Sequence, residues 1–305
     1  MSQSVVVRPL GPFSLAAAKD FASHWEPVSS DARRDEPLVL GFRTDGSHEA
    51  AAAALTQAPN GAVTILVGGT DDPSAAAQAQ RIVSLDVDAS TYPAVGEREP
   101  AIGRLMAELP GLRPVLFASP YEAACWAVLS QRISLRQAAS LQSQLTAALG
   151  DVVEVGGREQ AVFPHPRQLV DAQELPRVPS VKADRLRGIG RAAMDGELDI
   201  DGLRDLDAQT AVTRLQRLPG IGPFWASLIY LRATGVRDVF PDEPMSIAAL
   251  ASLYGLGAEP SPAAVQAVTD SFAPWRTWVS VLLRVAASRG HVPVPPSHPR
   301  AAGSR

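Results

Sequence analysis

The chain has 305 residues, 46% hydrophobic and 20% charged, with 23 glycines and 26 prolines, a globular composition long enough for one large or two moderate domains. A single cysteine, Cys125, excludes a disulfide framework, a Cys-x-x-Cys redox pair, a cysteine-built zinc site and a four-thiolate iron–sulfur cluster. The net charge of −4 argues against a strongly basic nucleic-acid binder. No apolar run reaches the ~20 residues needed to span a bilayer, and the start MSQSVVVRPL lacks the layout of a signal peptide, so a cytoplasmic, intracellular protein is expected.

In chain order, the first third carries short β-type runs at Val5–Val7, Leu38–Phe42, Val63–Val67 and Ile82–Leu85, separated by Gly, Pro, Asp and Ser clusters. The Ala-rich stretch His48–Leu55 reads as helix. Together they predict a small α+β domain over residues 1–100, with Tyr92–Pro100 as its linker. From about residue 105 the apolar residues fall at helical spacing, as in Ala124, Val128 and Leu129, then Ile133, Ala138 and Leu141. Helices are therefore predicted over 101–290. The proline-rich 291–305 is expected to be a disordered tail. Residues 1–104 hold 8 basic and 13 acidic side chains, and residues 105–290 hold 18 and 19; the helical part is nearly balanced.

Residues 211–233 form a helical run, the pentad Leu218-Pro219-Gly220-Ile221-Gly222, and a second helical run. A hairpin of this kind presents free backbone N–H groups at the start of its second helix, where an anion is favoured. Gly220 and Gly222 suit it because a side chain there would obstruct positive φ and hold a phosphate off the amides. Downstream, VFPDEPMSIAAL places Pro244 at a first helical position, which makes Glu243 the N-cap and puts Asp242 beside it. The five histidines lack metal-site spacing, Cys125 lies on an apolar helix face, and the acidic stretch from Asp195 to Asp207 reads as a solvated face.

LPGIG with its apolar helix, followed by RDVFP and an acidic pair, resembles the helix-hairpin-helix DNA glycosylase superfamily, most closely its 3-methyladenine DNA glycosylase II branch. PGLRP at 110–114, AxxAVLSQRIS at 124–134, FPHPRQL at 163–169, VKADRLRGIG at 181–190 and APWRTW at 273–278 extend the similarity over residues 100–290. It implies a mainly α protein whose helix-hairpin-helix domains follow a small antiparallel-sheet domain. The activity implied is removal of alkylated purines (3-methyladenine, 7-methylguanine type) from double-stranded DNA by hydrolysis of the N-glycosidic bond after base flipping. In this family a lysine two residues past the pentad marks a lyase; Phe224 stands here, which implies a monofunctional enzyme.

By the same resemblance, Phe224, Trp275, Trp225 and Met245 would line the base pocket. Leu218, Gly220, Ile221, Gly222, Gln131 and Arg132 would contact DNA, the last two from the loop that fills the gap left by the extruded nucleotide. The family's catalytic aspartate falls, counted without gaps, on Pro244, so Glu243 is the first candidate for the carboxylate and Asp242 the second. No cofactor is required. A structural sodium or potassium ion would be held by the carbonyls of Gln216, Leu218 and Ile221. A monomer without membrane partners is expected. Because of Pro244, the alternatives are a non-catalytic reader of damaged DNA, a glycosylase of altered lesion specificity, and a helical interaction domain whose LPGIG is only a turn.

Overall fold

The computed structural model describes residues 3–24 and 36–294. In chain order its elements are β1 (Gln3–Val7), α1 (Leu15–His24), β2 (Leu38–Arg43), β3 (Ala50–Gln57), β4 (Val63–Gly68), α2 (Ala75–Ile82), α3 (Pro93–Arg98), α4 (Pro100–Glu108), α5 (Pro120–Ser130) and α6 (Leu135–Leu149). There follow β5 (Asp151–Val155), β6 (Arg158–Val162), α7 (Pro166–Asp171), α8 (Ser180–Met194), α9 (Ile200–Arg204), α10 (Ala208–Leu215), α11 (Pro223–Thr234), α12 (Pro244–Tyr254), α13 (Pro262–Thr269) and α14 (Arg276–Ser288). The fold is mainly α with a small antiparallel N-terminal sheet, strand order β1-β4-β3-β2.

Two local expectations are reversed. In the segment 48–55, read as helix for its alanines, residues 50–55 belong to β3, paired in register with β2 (Leu38 opposite Leu55) and β4 (Leu55 opposite Ile65). Ala51, Ala53 and Leu55 face one core, while Ala52 and Ala54 face Val153, Val155 and Val162. A strand buried on both faces needs small side chains where another layer approaches closely, and this packing overrides the helical propensity of alanine. Ile82–Leu85, read as a strand, is the end of α2 and the turn after it; Ile82, Val83 and Leu85 are buried all the same.

The layer on the second face of the sheet is the hairpin β5–β6, which interrupts the segment read as all-helical. Gly156 and Gly157, both at positive φ, make its turn. Two glycines let it lie close to the sheet: a Cβ on Gly41 would sit 2.5 Å from the Ala161 carbonyl oxygen, and one on Gly68 would sit 2.4 Å from that of Glu154.

Besides the small cluster between sheet and hairpin, the described residues form two larger hydrophobic cores. The helical one joins α5, α8, α10 and α11 through residues such as Trp126, Leu186, Leu215 and Ile229. The other places Leu38, Phe42 and Ile65 of the sheet together with Leu250, Trp278 and Leu282, so the division near residue 100 separates sequence but not packing. Buried arginines staple the parts. Arg43 bonds to the Phe163 carbonyl (2.6 Å) and pairs with Asp151. Arg81 reaches Asp45 (2.6 Å) and the Ala233 carbonyl (2.9 Å). Each places its charge on carbonyls or a carboxylate, the condition for burying a guanidinium at tolerable cost. Of the expected tail, Val292 is buried against the same core, and residues 295–305 lie outside the described residues.

Candidate active site

A cleft of about 990 Å³ opens between α11, α12 and α14. Its walls are mostly apolar, with Phe117, Trp126, Leu228, Leu231 and Val281 among them, and the charged groups Asp242, Glu243 and Arg284 converge on it. That combination of an apolar concavity and a few converging polar groups is the usual form of a small-molecule site.

At one end of the cleft stands the hairpin. α10 is capped by Asp207, which accepts the Thr210 N–H at 3.0 Å, and the chain turns through Gln216–Gly222 into α11. Leu218 and Ile221 are buried in the helical core, which holds the turn so that its backbone faces outward. Gly220 has φ +81° and is exposed. Gly222 is the N-cap of α11 with Pro223 at the first helical position; the N–H groups of the next residues have no partner within the helix, as at any helix start. Of the three carbonyls expected to hold a cation, that of Leu218 accepts the Ile221 N–H at 3.1 Å and keeps a second lone pair.

The loop after α5 meets this turn. The Gln131 side-chain N–H donates to the Gly220 carbonyl at 2.7 Å, and Arg185 of α8 donates to the Gln131 side-chain oxygen at 2.7 Å. Gln131 therefore braces the hairpin. Arg132, at φ +59°, is exposed beside it. Lys182 donates to the Leu129 carbonyl at 2.5 Å; burial, then the neighbouring Arg185 charge, lowers its pKa. Neither Arg185 nor Lys182 was singled out from sequence, although both lie within the motif VKADRLRGIG.

The carboxylates lie on the opposite wall. Glu243 is the N-cap of α12, as Pro244 at the first helical position implies. One carboxylate oxygen accepts the Met245 N–H (3.2 Å) and an Arg284 N–H (2.7 Å); the other accepts the Ser246 N–H (2.8 Å) and hydroxyl (2.7 Å). Its side chain is 13% exposed. Asp242 is exposed at the same wall.

Phe224, Trp225 and Met245 line the cleft. Phe224 is 45% exposed, unusual for so large an apolar side chain, and meets Trp225 edge to face at 5.3 Å. Trp275 is a correction. It is 1% exposed, packs on Trp278 (4.8 Å) and Tyr92 (5.4 Å) beneath Arg237, and is not among the residues of the cleft wall. As the N-cap residue of α14 it points into the core shared with the sheet. Trp126 and Arg284, missed from sequence, occupy the cleft instead; the apolar surroundings of the first and the plain helical context of the second gave no signal.

No protein-family model matches the chain. Among characterised proteins, it is 28% identical over 205 residues to the DNA-3-methyladenine glycosylase of Bacillus subtilis, covering 64% of this chain and 65% of that one. It is 30% identical over 200 residues to DNA-3-methyladenine glycosylase 2 of Escherichia coli, covering 63% of this chain and 66% of the relative. The match thus spans just under two thirds of these relatives. In three dimensions it resembles the 3-methyladenine DNA glycosylase of Archaeoglobus fulgidus at TM-score 0.74 and 18% identity, over 93% of this chain and 98% of the other. Among the described residues, no helix is long and apolar enough to cross a membrane. With the hairpin, the cleft beside it and the sheet domain ahead of both, these likenesses support a helix-hairpin-helix DNA glycosylase superfamily fold, with sequence similarity to 3-methyladenine DNA glycosylases.

Proposed function

We propose that the protein is a monofunctional DNA glycosylase of base-excision repair, acting on alkylated purines of the 3-methyladenine and 7-methylguanine type in double-stranded DNA. The observation that carries this reading is that α11 begins at the hairpin and lines the same cleft into which Glu243 and Phe224 project. A strand held by the hairpin amides thereby delivers a flipped base to an aromatic wall with a carboxylate opposite. The names of the relatives support the alkylpurine substrate class.

Each group then has a task. The hairpin N–H groups and the α11 N-terminus bind phosphate without lysines, and a monovalent cation on the carbonyls of Gln216, Leu218 and Ile221 would add positive charge there. Arg132 enters the space the base leaves, where a guanidinium can stack. Phe224 and Trp225 stack on the electron-poor base, worth ~0.5–2 kcal/mol. Glu243, or Asp242 beside it, offsets the charge of the oxocarbenium-like sugar and orients the attacking water. Among the described residues lining the cleft none is a lysine, so no amine is offered for a Schiff base with the sugar. The enzyme acts as a monomer, with no membrane partner.

Incubation with methylated duplex DNA, followed by hot alkali, tests this. Strand breaks are expected only after alkali. Breaks without it would contradict the hydrolytic reading. The second reading, a non-catalytic reader of damaged DNA, draws on the four hydrogen bonds that already fill Glu243; lesion-dependent binding without breaks would favour it. Loss of both binding and breaks would leave an interaction domain.

A further inference from the structure

The cleft is longer than a methylated purine requires. α11 lines it from Pro223 to Arg232 and α14 from Thr277 to Arg289, about 14 and 18 Å at 1.5 Å per residue. A purine is roughly 5 Å across its fused rings at ~1.3–1.5 Å per bond. The volume, about 990 Å³, lies at the top of the ~300–1,000 Å³ range that accepts drug-sized molecules. With the base held between the Phe224 end and the carboxylates, the groove continues past Leu231, Val281 and Val285 to Phe21 of α1. The Arg232 guanidinium stands over the Phe21 ring there, 5.4 Å from its centroid. Ser288 and Arg289 close that end. An apolar trough ending in an aromatic ring under the Arg232 guanidinium, with Arg289 paired to Asp20 at its edge, suits a flat uncharged group.

We propose that this groove takes purines whose N3 or N7 substituent is a large uncharged apolar or aromatic group, the substituent lying along Leu231, Val281 and Val285 toward Phe21. The proposal rests on the glycosylase reading and narrows its substrate class. The chemistry is unchanged by the substituent. Water oxygen bonds to C1′ and gives up a proton to a carboxylate or solvent; the C1′–N9 pair returns to the ring, and the N7-substituted guanine leaves neutral with its substituent attached.

The test is single-turnover excision from two duplexes, one bearing a single N7-methylguanine and one a single N7-benzylguanine. Comparable rates are expected, whereas a pocket closed to the larger group rejects it by about 100-fold or more. Filling the far end with Ser288→Trp, at an exposed position, and separately with Val285→Phe should lower the benzyl-to-methyl rate ratio at least ~10-fold, with circular dichroism confirming the fold. Methyl excision without benzyl excision overturns the proposal, as does a ratio that neither filling variant moves. Failure of both lesions to be excised overturns the glycosylase reading and the proposal with it.

Discussion

Arg284 of α14 donates an N–H to Glu243 at the start of α12 across 2.7 Å, so the carboxylate that caps one wall of the cleft is matched in charge by the other. A carboxylate offers about four acceptor positions, and all four are filled here. Three donors belong to the first turn of α12; Arg284 alone is a long side chain from another element, and it is 38% exposed. For Glu243 to face a cationic sugar, Arg284 is the group that has to move. Arg284→Gln is therefore expected to raise the single-turnover rate on methylated duplex, by up to about tenfold, since removing a counter-charge in contact strengthens the field the sugar feels. A tenfold fall, rescued by Arg284→Lys, would mean instead that the pair positions the carboxylate.

The two neighbouring acids separate by stability as well as rate. Glu243→Ala removes a cap and leaves Arg284 without its partner, so it should lower stability by about 1–3 kcal/mol in urea melts. Asp242→Asn, at an exposed position, should change stability by less than ~0.5 kcal/mol. If Glu243 carries the chemistry, its conservative variant Glu243→Gln loses roughly 100-fold or more in rate while Asp242→Asn keeps most of it; the reverse pattern would transfer the role to Asp242.

The hairpin is testable through its glycine. A Cβ on Gly220, at φ +81°, would stand 2.6 Å from Arg185 Cδ, and the same residue's carbonyl receives Gln131. Gly220→Ala should cost about 1 kcal/mol in stability from the left-handed backbone alone. It should also displace Arg185 from Gln131 and weaken duplex binding in a fluorescence titration, without shifting the preference for methylated over unmethylated DNA. On the proposed grip by backbone amides, which carry no formal charge, log affinity should fall only gently against log salt, with a slope near −0.9 for each phosphate that a cationic side chain neutralises.

Glu122 gives a pH prediction. It accepts the backbone N–H of Arg43 at 3.0 Å between sheet and helices, and burial, opposed by that hydrogen bond and the Arg43 charge, pushes its pKa up to about 7. The folded protein thus binds a proton that the unfolded chain has lost. The cost of ionising Glu122 is absent below about pH 4.5, builds up as pH rises to about 7, and is fully present above it. The stability of Glu122→Gln relative to wild type should therefore rise between pH 5 and pH 8, by up to about 3 kcal/mol; a pH-independent difference would refute the shift.

Much of the candidate site was legible because its residues are constrained by the backbone. LPGIG needs glycine for its turn and buried Leu218 and Ile221 for its anchorage, and Pro244 fixes Glu243 as a cap; each requirement leaves a local trace. Trp275 failed because the resemblance carries a position and not a side-chain direction, which the shared core decides. Arg284 left no trace since its partner lies 41 residues away. The alanines of β3 misled for a related reason: their small size answers to the hairpin β5–β6, an element a hundred residues later.

The core that joins the sheet to the last helices also sets an order of events during synthesis. Phe42 and Ile65 share their packing with Leu250, Trp278 and Leu282, roughly 200 residues further on, a stretch the ribosome takes about 10–40 s to make at ~5–20 residues per second. Until then the core on this side of the sheet, begun by α1 and α2, lacks the part that α12 and α14 bring, while the helical core, assembled from Phe117 to Ala233, has every part it needs. The portion that bears the hairpin can thus form first, and the N-terminal strands, made earliest, complete their packing last.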